Sequence, residues 1–262
     1  MTETKVRYEK RGRQAWITLE DPPANAYTHE MMRQLDDAVL RARFDREVDV
    51  LVLEGAGERF FCAGADIGML ERADPEWKYQ FCLHANETLL RLEHTPKLVI
   101  AAIDGHCVGG GFEIALACDL RIAAEGSGKI GLPEVGLGVL PGTGGTQRLV
   151  RLVGKWKAIE LIAEGRNLDT AEALELGLVH RLLPREGFRE AVFDFAESFC
   201  APRKAAFAVG LVKRACQSGA EVGLEQGLAL ERELQARLFA SADAREGIAA
   251  FNEKRRPRFE GG

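Results

Sequence analysis

The sequence predicts an α/β protein whose C-terminal part is helical. Two continuous apolar runs, residues 50–53 and 98–103, are typical of parallel strands that are covered on both faces. Each run leads into a glycine-bearing loop and then a segment with helical spacing, and from about residue 185 onward the pattern is almost entirely helical. No Pro-, Gly- or Ser-rich linker separates these parts. We therefore expect a core over residues 1–200 with a helical region over 201–262, and not two independent domains.

The first elements are predicted as a hairpin followed by a helix. Val6 and Tyr8 alternate with charged residues, Gly12 marks a turn, and residues 15–19 form the second strand. Thr28 is a suitable N-cap, and apolar residues then recur at helical spacing, which predicts an amphipathic helix over residues 28–44.

Later elements are predicted from the same periodicities. Strands are expected at residues 120–123 and 129–130, and helices at 143–152 and 154–164. Four more helices are expected in the C-terminal part, at about 185–200, 203–216, 221–240 and 243–252.

Composition and charge argue against several classes of protein. Of 262 residues, 46% are hydrophobic and 29% are charged, as in ordinary globular proteins. The net charge of -5 argues against a surface that binds nucleic acid as a whole. No apolar run reaches the roughly 18 residues of a membrane span, and residues 1–5 lack the apolar core of a secretory signal. We therefore expect a cytoplasmic protein that does not bind membranes, with its six cysteines as buried thiols because they form no C-x-x-C pair.

Three glycine-rich segments, residues 60–67, 105–113 and 132–149, carry the chemical information. Glycine lets backbone N–H groups approach a ligand, and a helix N-terminus adds partial positive charge, so such loops suit an oxyanion. One such segment alone is more often a tight turn, but three in one chain favour a binding site. The chain has no G-K-[ST] sequence, and Gly55-Ala56-Gly57 is not followed by the third small residue of a dinucleotide fingerprint, which argues against Walker and Rossmann sites.

Two acids lie inside apolar parts of these segments. Glu113 begins an otherwise apolar helix, and Glu134 lies in an apolar, turn-forming run. For Glu113 the alternative is a favourable interaction with the helix N-terminus, and for Glu134 it is a solvated loop position. Together they form a candidate acid/base pair, because burial raises carboxyl pKa values toward neutrality.

These motifs resemble those of the enoyl-CoA hydratase/isomerase (crotonase) superfamily. The most specific ones are residues 63–66, 109–113, 133–138 and 141–149, and the resemblance spans nearly the whole chain. It implies a ClpP/crotonase-like α/β spiral of strand-strand-helix units followed by a C-terminal helical trimerisation region. It also implies an acyl-CoA substrate and a homo-oligomer, either a trimer or a dimer of trimers.

The resemblance also assigns roles to residues. The backbone N–H groups of Ala65 and Gly110 match the family's oxyanion-hole donors, and Gly142 matches a position whose N–H helps to hold the attacking water. Glu113 and Glu134 match the two hydratase glutamates. The implied enzyme is a hydro-lyase that adds water syn across an α,β-unsaturated thioester. It needs no metal or redox cofactor, because the thioester is the electron sink and coenzyme A is part of the substrate.

The same resemblance implies the remaining substrate contacts. Coenzyme A is expected along the first glycine loop, and the acyl pocket is expected beside the helix that follows. The residues implied for these contacts are Ala24, Arg59, Ala63, Gly64, Asp66, Ile67, Met69, Leu70, Phe251 and Lys254. Phe251 and Lys254 match positions that often reach the nucleotide across a subunit boundary. The chain before Asn25 lacks the basic residue that many hydratases have there.

Two groups of alternatives remain open at this point. The scaffold also suits double-bond isomerisation, thioester hydrolysis or hydration of a branched or cyclic acyl group, although the presence of both glutamates favours hydration. A nucleic-acid-binding or scaffolding protein is the non-enzymatic alternative. Its support is limited to the basic run at residues 254–256 and Arg258.

Overall fold

The apolar runs predicted as buried strands form the centre of a six-stranded sheet in a computed structural model, which describes residues 3–261. Along the sheet the order is β1-β2-β3-β5-β7-β10, with the first pair antiparallel and every other pair parallel. These strands are β1 (Val6–Arg11), β2 (Gln14–Leu19), β3 (Val50–Gly55), β5 (Leu98–Ile103), β7 (Leu120–Ala124) and β10 (Arg181–Leu183).

A second sheet of four very short strands runs in the order β4-β6-β8-β9. The strands are β4 (Phe60–Cys62), β6 (His106–Val108), β8 (Ile130–Gly131) and β9 (Asn167–Leu168). β4, β6 and β8 follow β3, β5 and β7 along the chain, so the predicted strand-strand-helix units are present. Apart from β8, these short strands have no counterpart in the sequence prediction, because two or three residues are too few for an alternating pattern.

The helices follow the predicted order, except that the short helix Thr170–Glu175 has no counterpart in the sequence prediction. They are α1 (His29–Phe44), α2 (Ile67–Arg72), α3 (Pro75–His94), α4 (Gly110–Leu116), α5 (Gly145–Val153), α6 (Lys155–Glu164), α7 (Thr170–Glu175), α8 (Phe188–Glu197), α9 (Ala206–Gly219), α10 (Leu224–Phe239) and α11 (Ala242–Asn252). The Thr28 side chain caps α1 by accepting from the Met31 N–H, which confirms the predicted start.

The predicted start of α5 at residue 143 is wrong. Gly144 has a left-handed backbone (φ 107°), so residues 142–144 form a turn and the helix begins only at Gly145. This turn presents the N–H groups of Thr143 and Gly145 to the side chain of Glu113.

The six-stranded sheet is covered on both faces, as its apolar runs predict. In β3, Leu51 and Leu53 join the larger core, whereas Val50 and Val52 join a second core with Trp16. Helix α8 closes this second face through Phe188, Val192 and Ala196. Among residues 3–261, no helix is long and apolar enough to cross a membrane.

A buried ion pair connects the C-terminal helices to the core. Lys213 of α9 lies 2.9 Å from the Asp119 carboxylate and also donates to the carbonyl oxygens of Leu92 and Lys97. The side chain of Lys213 is 5% exposed and that of Asp119 is 17% exposed. Neither charge can be removed alone without leaving the other desolvated and unpaired.

Replacing Lys213 by Met should therefore lower the free energy of unfolding by roughly 3–5 kcal/mol, the usual cost of breaking a buried pair. Urea unfolding at constant protein concentration measures this. Lys204→Met, at an exposed lysine, is the control and should change stability by less than about 0.5 kcal/mol. Adding Asp119→Asn to Lys213→Met should recover part of the loss. If Lys213→Met were as stable as Lys204→Met, the buried ion pair would not contribute as described.

Candidate active site

The three glycine-rich segments meet around one cavity of about 640 Å³. β4, β6 and β8 are parallel neighbours, so the loops that follow them leave the same edge of the small sheet. Each segment contributes to the wall: Ala63, Gly64 and Ala65 from the first, Gly109, Gly110 and Glu113 from the second, and Pro133, Glu134, Gly142 and Thr143 from the third. The sequence motifs therefore form one site.

Glu113 is a buried carboxylate held by backbone N–H groups. It is 1% exposed, and its Oε1 accepts hydrogen bonds from the N–H groups of Thr143 and Gly145, both at 2.7 Å. Burial raises the pKa of Glu113, and the two N–H donors oppose that rise by stabilising the charged form. The arrangement orients the carboxylate and supports its ionised state.

Glu134 has a different environment. It begins a 3₁₀ turn (Glu134–Leu137) and is half-buried. Its Oε2 atom is buried and has no hydrogen-bond partner in the part of the chain that the structure describes. Burial, together with the charge of Glu113, raises the pKa of Glu134 to about 7. A carboxyl with this pKa can hold a transferable proton near neutral pH.

Two unpaired backbone N–H groups lie on the wall of the same cavity. Within residues 3–261, neither the Ala65 N–H nor the Gly110 N–H has a hydrogen-bond acceptor, although residues on both sides of Ala65 are paired with Tyr27. The first and second glycine segments touch here, because a Cβ atom at Gly64 would lie 3.1 Å from the Gly110 nitrogen. Two free N–H donors on adjoining segments of one cavity wall are suited to bind an oxygen that gains negative charge.

Glycine avoids close contacts beside the second acid and beside α3. A Cβ atom at Gly109, where φ is 56°, would lie 3.2 Å from Oε1 of Glu134. A Cβ atom at Gly142 would lie 3.3 Å from the Cys82 sulfur. The bare backbone at Gly109 therefore keeps the start of α4 close to the 3₁₀ turn without crowding Glu134.

Of the other residues implied as substrate contacts, some line the cavity and some do not. Ile67 and Leu70 line the cavity together with Ala63 and Gly64. Asp66 instead caps α2 by accepting from the Met69 N–H at 2.6 Å, and the Met69 side chain packs against the core. The remaining implied residues, which do not line this cavity either, are Ala24, Arg59, Phe251 and Lys254.

Each of these four residues has another observed contact or is exposed. The Ala24 carbonyl accepts from the Ala63 N–H at 3.1 Å, which fixes the first glycine loop. The exposed Arg59 guanidinium lies over the Phe60 ring. Phe251 is 84% exposed, and Lys254 is exposed beside it.

The basic C-terminal run is partly neutralised. Arg255 forms ion pairs with Glu246 and Glu253. The charge available for a nucleic acid is therefore smaller than the sequence of this run indicates.

Several cavity residues were missed by the sequence analysis. The most informative are Tyr27 and Thr143, whose hydroxyl groups are hydrogen-bonded at 2.8 Å. Thr143 lies inside a recognised motif, but Tyr27 has no local signal except its position before the N-cap Thr28. Lys78, Leu137, Val139 and Leu140 also line the wall.

Comparison with known proteins agrees with this geometry. Residues 9–262 match the model of the enoyl-CoA hydratase/isomerase family. The chain belongs to this family. It is 40% identical to YngF of Bacillus subtilis, a putative enoyl-CoA hydratase/isomerase, over 94% of each chain. It is 38% identical to a short-chain-enoyl-CoA hydratase of Clostridium acetobutylicum, covering 96% of this chain and 95% of the relative.

Solved structures of the enoyl-CoA hydratase/isomerase family show the same fold. An enoyl-CoA hydratase structure from Geobacillus kaustophilus superposes with a TM-score of 0.97 at 43% identity, covering 100% of this chain and 98% of the other. The crotonase spiral expected from the motifs is thereby confirmed. Hydratases are hydro-lyases, and this chain is an enzyme of that family.

The raised pKa of Glu134 has a consequence for stability. Between pH 4.5 and about 7 the folded state holds a proton on Glu134 that the unfolded state has released, so stability from this group falls as pH rises through that range. Glu134→Gln removes this contribution. As pH is raised from 5 to 8, the free energy of unfolding of the variant should therefore increase relative to that of wild type. Urea unfolding at constant protein concentration measures this difference. A constant difference across that range would contradict the raised pKa.

Proposed function

We propose that the enzyme is an enoyl-CoA hydratase, which adds water syn across the α,β double bond of an acyl-CoA thioester and also catalyses the reverse reaction. The observation that carries this proposal is that two carboxylates and two unpaired N–H donors line one cavity. Relatives named short-chain-enoyl-CoA hydratase and crotonyl-CoA hydratase support a short acyl group as the first substrate to test.

In this proposal the N–H groups of Ala65 and Gly110 bind the thioester oxygen. Attack of water at the β-carbon moves electrons toward that oxygen, which becomes enolate-like. Donors placed in advance stabilise this charge, and removal of one such donor typically costs ~2.7–4 kcal/mol. The thioester is thus the electron sink, and the proposal includes no separate cofactor.

The two glutamates have opposite proton-transfer roles. Glu113, whose ionised form is stabilised by two N–H donors, accepts a proton from the attacking water. Glu134, whose pKa is raised to about 7, gives a proton to the α-carbon. The N–H of Gly142, on the same cavity wall, helps to hold the water.

Coenzyme A is proposed to lie along the first glycine loop, at Ala63, Gly64 and Asp66. The exposed Phe251 and Lys254 lie outside the cavity of their own chain, which supports a contribution to a neighbouring subunit in a trimer or a dimer of trimers. The apolar wall formed by Ile67, Leu70 and Leu140 is proposed to face the acyl group.

Glu113→Gln and Glu134→Gln should each reduce kcat for hydration of crotonyl-CoA by roughly 10²- to 10⁴-fold, because each loses a proton-transfer group. Loss of the conjugated thioester absorbance measures the rate. Glu186→Gln, at an exposed glutamate, is the matched control and should keep wild-type activity. Near-wild-type activity of either site variant, with the fold intact by circular dichroism, would refute the assignment.

Product analysis separates hydration from isomerisation. The pair of carboxylates predicts that the enzyme converts crotonyl-CoA to a 3-hydroxyacyl thioester as its main product. Chromatography of the products measures this, together with any shifted alkene formed from a longer 2-enoyl thioester. Predominant formation of the shifted alkene would favour an isomerase on the same scaffold.

A further inference from the structure

Tyr27 contacts all three parts of the site, although nothing in its local sequence indicates a role. Its backbone N–H donates to the Gly64 carbonyl at 2.9 Å, and its own carbonyl accepts from the Asp66 N–H at 3.0 Å. These two bonds lie on either side of Ala65, whose N–H stays unpaired within residues 3–261. The main chain of Tyr27 therefore sets the position of the first N–H donor.

The ring of Tyr27 contacts the second donor. A Cβ atom at Gly110 would lie 2.3 Å from Cε1 of Tyr27, so the ring packs directly on the backbone at the start of α4. The ring also stacks on Phe81, with centroids 5.8 Å apart and planes at 25°. Tyr27 is 2% exposed, and this packing leaves the ring little freedom to move.

The hydroxyl of Tyr27 contacts the loop that holds the first acid. It is hydrogen-bonded to the Thr143 hydroxyl at 2.8 Å, and Thr143 is 1% exposed. The N–H of Thr143 is one of the two donors to Oε1 of Glu113. One residue is thus connected to both backbone donors, through its main chain to Ala65 and through its ring to Gly110, and its hydroxyl connects it through Thr143 to Glu113.

We propose that Tyr27 is a positioning residue, which holds the Ala65 and Gly110 donors and, through Thr143, the Glu113 carboxylate in one fixed arrangement. It acts through these groups and does not itself exchange a proton with the substrate. The inference rests on the proposed function only in taking Glu113 as the base.

The physical consequence of removing the hydroxyl follows from these contacts. Without it, the buried Thr143 hydroxyl loses its bond to Tyr27, and the turn at residues 143–145 is no longer tied to the ring. The N–H bonds to Glu113 weaken, and because these bonds lower its pKa, that pKa rises. The charged groups facing Glu113 are Glu134 and Arg148, and both are retained in the variants below.

The test uses Tyr27→Phe and Thr143→Val, each of which removes one hydroxyl while keeping most of the side-chain volume. Tyr79→Phe, at a tyrosine that is 66% exposed, is the matched control. Each site variant should lower kcat for crotonyl-CoA roughly three- to tenfold, the effect of about one hydrogen bond, with KM nearly unchanged. The acid limb of the pH profile of kcat should move to higher pH.

Two further variants distinguish positioning from simple structural damage. Thr143→Ser keeps the hydroxyl and should retain the wild-type acid limb and most of kcat. The double variant Tyr27→Phe/Thr143→Val should lose no more activity than the stronger single variant, because both changes break the same bond. Additive losses, a wild-type acid limb in Tyr27→Phe, or a rise in KM alone would each overturn the proposal.

A measurement without substrate separates this inference from the proposed function. The carboxyl of Glu113 can be titrated by ¹³C NMR in protein labelled at the glutamate carboxyls, with Glu113→Gln assigning its signal. Its pKa should be higher in Tyr27→Phe than in wild type or Tyr79→Phe. If the enzyme does not hydrate crotonyl-CoA but this shift is present, the proposed reaction fails and the positioning role stands. An unchanged pKa overturns the positioning role regardless of activity.

Discussion

The site depends on two hydrogen bonds from backbone N–H groups to one oxygen of Glu113. A carboxylate that is 1% exposed is costly to ionise unless donors replace the lost water, and Thr143 and Gly145 supply them. Both donors become available because Gly144 interrupts the helical pattern with a left-handed backbone. A helix starting at residue 143 would direct these N–H groups along its own axis. The glycine-rich sequence at this turn is therefore needed to hold the Glu113 carboxylate.

The same cavity gives its two acids different environments, and this difference suits opposite proton-transfer roles. Glu113 has donors on one oxygen, whereas Oε2 of Glu134 is buried without a partner among the described residues. Burial then keeps the pKa of Glu134 near neutrality. Two neighbouring carboxyl groups in different environments are typical of acid/base catalysis. Glycine at position 109 keeps the main chain close to Glu134 without crowding its carboxyl.

Membership of the enoyl-CoA hydratase/isomerase family determines the scaffold, but the scaffold alone does not determine the reaction, since related folds support several chemistries. The proposed reaction follows from the number, burial and protonation of the polar groups in the cavity. In the proposed oligomer, the exposed Phe251 and Lys254 would complete the substrate contacts of a neighbouring subunit. The proposed oligomer would then be part of the site and not only a means of assembly.

By itself the sequence determined the buried strands, the cap at Thr28, the glycine motifs and the positions of both candidate acids, because each depends on local pattern or on a specific motif. Tertiary structure decided the short strands, the late start of α5 and the role of Tyr27. The bond between Tyr27 and Thr143 joins residues 116 positions apart, and that between Thr143 and Glu113 joins residues 30 apart. No local periodicity predicts such pairings, because they form only when folding brings the three strand ends to one edge of the small sheet.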